Sequence, residues 1–305
     1  MINFFVMLIS ALLSAVFVYR TEAAGSPPPR VPQANQVWKD TVSGLEFVWL
    51  PGGCFELGSR DSSRTRLFHE KPLHTVCLDG FWMGRYEVSN AQYRQYKPEH
   101  NSQKIEENSL DGDKQPVVYV SWYDAKEYTD WLSRTREGEQ RYTFRLPTEA
   151  EWEFACRAGT ETVRYWGGEE KKTENTCEYA NVADIVYQIK RVKYHNCSDG
   201  FLVSSPTGSF PANPAGLNEM LGNVWEWCED RYCRRAYRRH KAKNPLYRTV
   251  EDNMDYRVIR GGSWLSEPDS VRSAKRSPAP PTSRYNVLGF RVVMEVRQDK
   301  GISTH

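Results

Sequence analysis

From residue 160 to residue 215 the chain sustains neither the period of two that marks a strand nor the 3.6 that marks a helix. A stretch of that length inside a compact domain needs an organiser besides secondary structure, such as a disulfide or a metal ion. The composition agrees. Ten Trp, 17 Tyr and 20 Gly in 305 residues, with few long apolar runs, describe an irregular fold held by aromatic packing and loops. The net charge of +2 gives no global argument for nucleic acid or for an acidic polymer.

Regular elements are signalled elsewhere. Phe47-Val48-Trp49-Leu50 followed by Pro51-Gly52-Gly53 reads as a strand running into a turn, and Val76 to Trp82 as a second strand. Ser89 with Gln92 three residues on opens a short helix. Ser121 caps a longer one through Arg134, with Asp124 in the third position. Trp122, Ala125, Tyr128, Trp131 and Leu132 share its apolar face. Thr148-Glu149-Ala150-Glu151 is a capping box for a helix through Ala158, and Gly159 suits a left-handed stop. No internal repeat is visible. Residues 40–296 read as one domain and 297–305 as a tail.

Residues 3–18 form an uncharged apolar run of signal-peptide length, followed by small residues at Ala23 and Ala24. No Lys or Arg precedes the run, so residues 1–24 read as a signal peptide or as a retained N-terminal membrane anchor. Residues 25–39 read as a Pro-rich linker. Both readings place the domain outside the cytoplasm, periplasmic or secreted, where seven cysteines favour disulfides. Candidate pairs are Cys54–Cys77, Cys177–Cys197 and Cys228–Cys233, with Cys156 left as a buried thiol; sequence leaves the connectivity open. No CxxC occurs and the six His are scattered, so no zinc motif is present. The basic stretch Arg234 to Lys243 reads as a solvated loop, and Asn196-Cys197-Ser198 is a glycosylation sequon.

Eight phrases occur in one order: Pro51-Gly52-Gly53 with Leu57-Gly58-Ser59; Gly80-Phe81-Trp82 with Tyr86-Glu87-Val88-Ser89-Asn90; Val120 to Ala125; Arg145 to Glu153; Gly216-Leu217; Gly222 to Trp227; Arg260 to Trp264; and Leu288 to Arg291. In these phrases the chain resembles the formylglycine-generating-enzyme (sulfatase-modifying factor) family over about residues 40–295. The resemblance implies an α+β single domain, a variant of the C-type lectin fold with little regular secondary structure.

It also implies two structural calcium sites, built from the oxygen donors that calcium prefers. The first would use the side chains of Asn181 and Asp199 with the carbonyls of Val182 and Phe201; Cys177 and Cys197 flank these residues. The second would use the side chains of Glu219 and Glu226 with the carbonyls of Gly222 and Val224. Glu219 stands where the family usually has Asp or Asn.

The family's enzymes oxidise a substrate cysteine to formylglycine with copper, held by two thiolates in the loop after Gly-Gly-Ser. Here residues 261–277 hold no cysteine, and Ser266 stands at the first thiol position. A hydroxyl does not replace a thiolate for Cu(I), so copper chemistry is not expected. Ser263, Ser266, Trp225 and Arg276 remain as candidate cleft residues, and no His falls in a motif around Ser263. The expected function is a calcium-stabilised, non-oxidase binding or accessory factor. Its partner would be a peptide, a glycan or an exported protein recognised around residues 263–286, with no nucleic acid. The alternatives are an enzyme of different oxidative chemistry on this scaffold, or a formylglycine generator with another site.

Overall fold

In the computed structural model, which describes Pro28 and residues 32–59, 68–135, 142–167, 175–186, 193–250 and 254–296, the run Phe47–Leu50 lies in a strand buried on both faces. The apolar run 3–18 and the tail 297–305 lie outside the described residues. Among those described, no helix is long and apolar enough to cross a membrane. The chain runs β1 (Val37–Lys39), β2 (Glu46–Leu50), β3 (Gly53–Leu57), β4 (His74–Leu78), β5 (Phe81–Gly84), α1 (Asn90–Arg94), β6 (Lys104–Ile105), β7 (Asn108–Ser109) and α2 (Trp122–Arg134). It continues through β8 (Tyr142–Arg145), α3 (Glu149–Arg157), β9 (Trp225–Arg231), β10 (Arg257–Arg260), β11 (Arg276–Ala279), β12 (Leu288–Gly289) and β13 (Val293–Val296).

The main sheet has the order β1-β2-β5-β13-β8, all antiparallel, so the last strand lies between two early ones and closes the domain. Successive side chains on a strand point to opposite faces. Phe47, Trp82 and Met294 accordingly enter an aromatic core with Tyr93 and Tyr128, while Val48, Met83 and Val293 enter a second core with Trp152 and Leu217. A sheet buried on both faces explains why these strands are continuously apolar rather than alternating. A second sheet, β11-β10-β9-β12, carries the Arg260-Gly261-Gly262-Ser263 turn at the end of β10. β1 lies within the segment read as linker; Trp38 is buried there and pairs with Phe47.

Three helices start as their caps predict. Ser89, Ser121 and Thr148 each accept from the backbone N–H three residues on, and the side chains of Gln92, Asp124 and Glu151 accept in return from the cap N–H. On α2, Trp131 is half-buried while Thr129 is buried. α3 ends one residue sooner than expected: Ala158 is already left-handed at φ 47°, ahead of Gly159 at 86°. The run Val76–Trp82 is not one strand. It breaks at Asp79-Gly80 because its first half pairs with β3 in a separate hairpin and its second half joins the main sheet.

Two of the three cysteine pairs form. Cys54–Cys77 joins directly opposed residues of the β3–β4 hairpin, and Cys177–Cys197 closes a loop in the irregular segment. Cys228–Cys233 does not form. Cys228 is held inside β9, where its carbonyl accepts from Trp122 Nε1, and Cys233 lies in the following turn, its sulfur accepting from Arg235 N–H. Cys156 is a buried free thiol.

α3 gathers buried charge. Glu149 takes a two-point contact from Arg276 (Nε–Oε1 2.7 Å, Nη2–Oε2 2.5 Å) and a third from Arg260. Glu153 pairs with Arg260 and Arg157 and accepts from Gly58 N–H. Glu151 closes its capping box and also binds Arg145 at 2.6 and 2.7 Å. Trp152 Nε1 donates to Glu226, which Arg291 grips through two nitrogens at 2.7 Å. Burial alone would raise the Glu149 carboxyl; Arg276 and Arg260 override it and hold it below the usual carboxylate range.

Candidate functional site

The loop after β10 turns on two left-handed glycines, Gly261 at φ 98° and Gly262 at φ 83°. A Cβ on Gly262 would lie 3.3 Å from both Ser266 Oγ and Ser270 O, so the tight turn and the close approach together favour glycine. Within it Ser263 N–H donates to Ser266 Oγ at 2.8 Å, Ser266 N–H returns to Ser263 O at 2.8 Å, and the two hydroxyl oxygens lie 3.3 Å apart. Both serines are buried. The Ser266 hydroxyl therefore closes a turn at the position where the family resemblance implies the first reactive thiol.

His195, which nothing in the sequence connects to this loop, packs against it. Ala183 N–H donates to Ser266 O, His195 N–H donates to Ala183 O, and the His195 ring meets the Ser266 carbonyl. The ring is buried, and among the described residues neither nitrogen has a well-formed hydrogen bond. Burial, with the nearby Arg164 charge adding, lowers its pKa to about 3. The ring contact is to the carbonyl and not to a hydroxyl, so the group is not arranged as a base for a serine nucleophile.

The other candidate cleft residues, Arg276 and Trp225, stand at the first positions of β11 and β9. Arg276 is fully buried, donating to Glu149 and to the carbonyls of His69 and Cys233, with the rings of Tyr237 and Tyr232 at 4.4 and 5.0 Å. Trp225 is half-buried at the start of β9, its N–H donating to Val287 O.

The first proposed calcium set is drawn together. Asp199 accepts from Val182 N–H at 2.8 Å and from Phe201 N–H at 2.9 Å, and its own N–H donates to Asp184. Asn181 donates to Val203 O, while its Oδ1 is buried without a partner among the described residues. An orphaned buried acceptor on the residue next to Val182, whose N–H binds the Asp199 carboxylate, fits an oxygen-liganded cation. Burial, reinforced by Asp184 and opposed by the two N–H donors, pushes Asp199 up to about 6. Asp184, absent from the sequence expectation, belongs to the same cluster.

The second set does not fit a cation. Both oxygens of Glu226 are held by Arg291, so a metal there would face a buried guanidinium. Glu219 instead accepts from Gly208 and Phe210 N–H, and burial pushes it up to about 7. Gly222 serves packing: a Cβ would come within 2.4 Å of Asn181 O. Asn223 ties the two regions, donating from its backbone to Asn181 O at 2.8 Å and from its side chain to Glu87 at 2.7 Å. Glu87, also absent from the sequence expectation, is buried and raised well above the carboxylate range, by burial first and then by Glu226 and Glu219. Among the described residues no three His, Cys, Asp or Glu side chains converge as a metal-ligand group.

An open concavity lies elsewhere. A groove of about 640 Å³ runs between residues 107–115 and 200–206, with Asp113, Lys114, Gln115, Phe201, Leu202 and Pro206 on its walls. It adjoins the first calcium set through Phe201 and Val203, and Leu202 is exposed in it.

Comparison with known proteins agrees with this architecture. The family described as "Sulfatase-modifying factor enzyme 1-like domain" matches residues 33–296. The formylglycine-generating enzyme of Mycobacterium tuberculosis is 29% identical, over 82% of this chain and 98% of that one. The serine/threonine-protein kinase Pkn1 of Chlamydia caviae is 31% identical over 83% of this chain, which spans only 38% of that relative's length. Among solved structures, PvdO from Pseudomonas aeruginosa superposes with a TM-score of 0.74 at 29% identity, covering 87% of this chain and all of that one. The fold is the formylglycine-generating-enzyme variant of the C-type lectin fold, and the chain belongs to the sulfatase-modifying factor enzyme 1-like family.

Proposed function

We propose that this chain is a non-oxidase member of the family, working outside the cytoplasm as a calcium-stabilised binding or accessory factor. The observation that carries this reading is the Ser263–Ser266 turn. The loop that would hold two thiolates holds a buried, internally hydrogen-bonded serine pair. The three cysteines outside the disulfides do not replace them. All three are buried, and burial pushes Cys156 up to about 12 and Cys228 well above the usual thiol range. Without a thiolate pair, soft Cu(I) has no ligands suited to it. The apolar run at residues 3–18 and the two disulfides support an oxidising, extracytoplasmic setting. The open groove beside Leu202 suits a peptide, a glycan or a segment of an exported protein.

Calcium held by Asn181 and Asp199, with the carbonyls of Val182 and Phe201, would supply a cross-link, not a reaction centre. It would join residues 181–182 to residues 199–201 within the irregular segment, which Asn223 already ties to the rest of the domain through the Asn181 carbonyl.

Two measurements test the reading. The purified chain, loaded with copper, is incubated in air with a sulfatase-motif cysteine peptide and followed by mass spectrometry. No cysteine-to-aldehyde conversion is expected, and conversion would refute the non-oxidase reading. Separately, calcium in hundredfold excess over its Kd should stabilise the protein by about 2.7 kcal/mol. The gain should vanish in Asp199→Asn; an unchanged melting temperature with calcium or chelator would remove the site.

A further inference from the structure

Outside the loop and the calcium set, the fold brings together two imidazoles that are 166 residues apart in the chain. His74, at the start of β4, and His240, beyond β9, place Nε2 and Nδ1 3.3 Å from each other. We infer that the His74–His240 pair is a binding site for a borderline first-row divalent cation, with zinc as its representative. This inference is independent of the proposed function.

The geometry supports it in three ways. First, two nitrogens each 2.0–2.1 Å from a tetrahedral ion stand about 3.3–3.4 Å apart, which is the observed separation and is long for an N–H···N hydrogen bond. The ring centroids, 5.3 Å apart, lie close to the roughly 5.2 Å expected when both lone pairs point at one such ion. Second, His74 is oriented as a ligand. Its Nδ1 donates to Pro72 O at 3.0 Å, so Nε2 carries the lone pair, as in metal-binding histidines whose other nitrogen is held by a carbonyl. Third, both rings are braced by one buried side chain. Tyr237 lies with its centroid 5.2 Å from His74 and 5.1 Å from His240, and its hydroxyl is anchored on Glu149 at 3.2 Å.

Among the described residues the pair is not part of a longer proton relay. Nε2 of His240 is buried with no partner among the described residues, so nothing passes a proton onward. No third His, Cys, Asp or Glu side chain completes a ligand group among the described residues. The remaining positions on the ion would be filled by water or an anion, which makes the site open and of moderate affinity. The basic stretch 234–243 around His240 lowers the affinity for a free cation further and favours an anionic co-ligand.

The full chain, stripped with chelator and returned to saturating calcium, is titrated with zinc chloride by calorimetry and with cobalt(II) by visible absorption. One equivalent of zinc at micromolar affinity is expected, and cobalt should show d–d bands without a thiolate charge-transfer band. His74→Ala and His240→Ala should each weaken binding at least tenfold, and His74→Gln and His240→Gln provide milder versions if the alanine variants do not fold. Melting temperature in chelator separates lost binding from lost structure. Undiminished zinc binding in the folded His variants, a thiolate band with cobalt, or no binding below millimolar zinc would each overturn the inference.

Discussion

Two regions of this domain bury carboxylates by opposite means. Around α3, charge meets charge: Glu149, Glu153 and Glu226 are each matched by at least one buried guanidinium. In the neighbouring loops, Asp199 and Glu219 are met mainly by backbone N–H groups. The consequence is opposite protonation behaviour. Glu149 is held low, whereas Asp199 is raised to about 6, Glu219 to about 7 and Glu87 well above the usual range. The α3 region is charge-matched except at Asp230, which accepts from Glu149 and Tyr247 N–H and which burial, reinforced by Glu149, pushes up to about 7. The loop region carries surplus acid that a proton or a cation relieves, and it is there that Asn181 leaves an acceptor unused.

Breaking the ion-paired region should cost most. Glu149→Ala strands Arg276 in the interior, and removing one partner of a buried ion pair costs about 3–5 kcal/mol. Urea unfolding at pH 7 should register that loss, and Glu149→Ala with Arg276→Met should recover part of it. A loss under about 1 kcal/mol for the single variant would deny the pair its structural role.

Opening the loop region covalently comes next. The Cys177–Cys197 bridge spans a sequence separation of 20, for which closure entropy gives about 3 kcal/mol. Cys177→Ser with Cys197→Ser should lose roughly that much on heating and expose residues 176–210 to protease before the α3 region. Simultaneous cleavage in both regions would contradict the division.

The third prediction has the opposite sign and depends on pH. A folded pKa raised above the unfolded value stabilises below the unfolded pKa, and that contribution is lost as pH rises through the folded one. For Glu219 that window runs from the ordinary glutamate value of 4.5 to about 7. In calcium-free buffer Glu219→Gln should therefore gain at most roughly 3 kcal/mol at pH 8. At pH 5 it should gain nothing, because the carboxyl is already largely neutral there and the amide keeps an acceptor for only one of the Gly208 and Phe210 N–H groups, which bond different carboxylate oxygens. Equal effects at the two pH values would show that the carboxyl is not raised.

How much of this was legible depended on the range of each interaction. Ser89, Ser121 and Thr148 announced their helices because a capping box closes within three residues. The thiol-free loop 261–277 was readable for the same reason. The break at Asp79-Gly80 carried a local sign, an Asp-Gly turn pair inside the run, but the sheet that each half joins did not, since that depends on the partner strands. Glu226 misled: an acidic residue in a family calcium motif looks like a ligand until Arg291, 65 residues later, is seen to hold it.

By itself the sequence determined the helix starts, the strand at Phe47–Leu50 and the absence of cysteine from the loop after Gly262, and it offered three cysteine pairs of which two form. Only the tertiary structure decided which charge answers which. Arg276 meets Glu149 across 127 residues, His195 reaches Ser266, and His240 faces His74 across 166. The physical reason is that capping and alternation act through covalent neighbours, whereas an ion pair or a ligand geometry depends on distance in space, which spacing along an irregular chain does not encode.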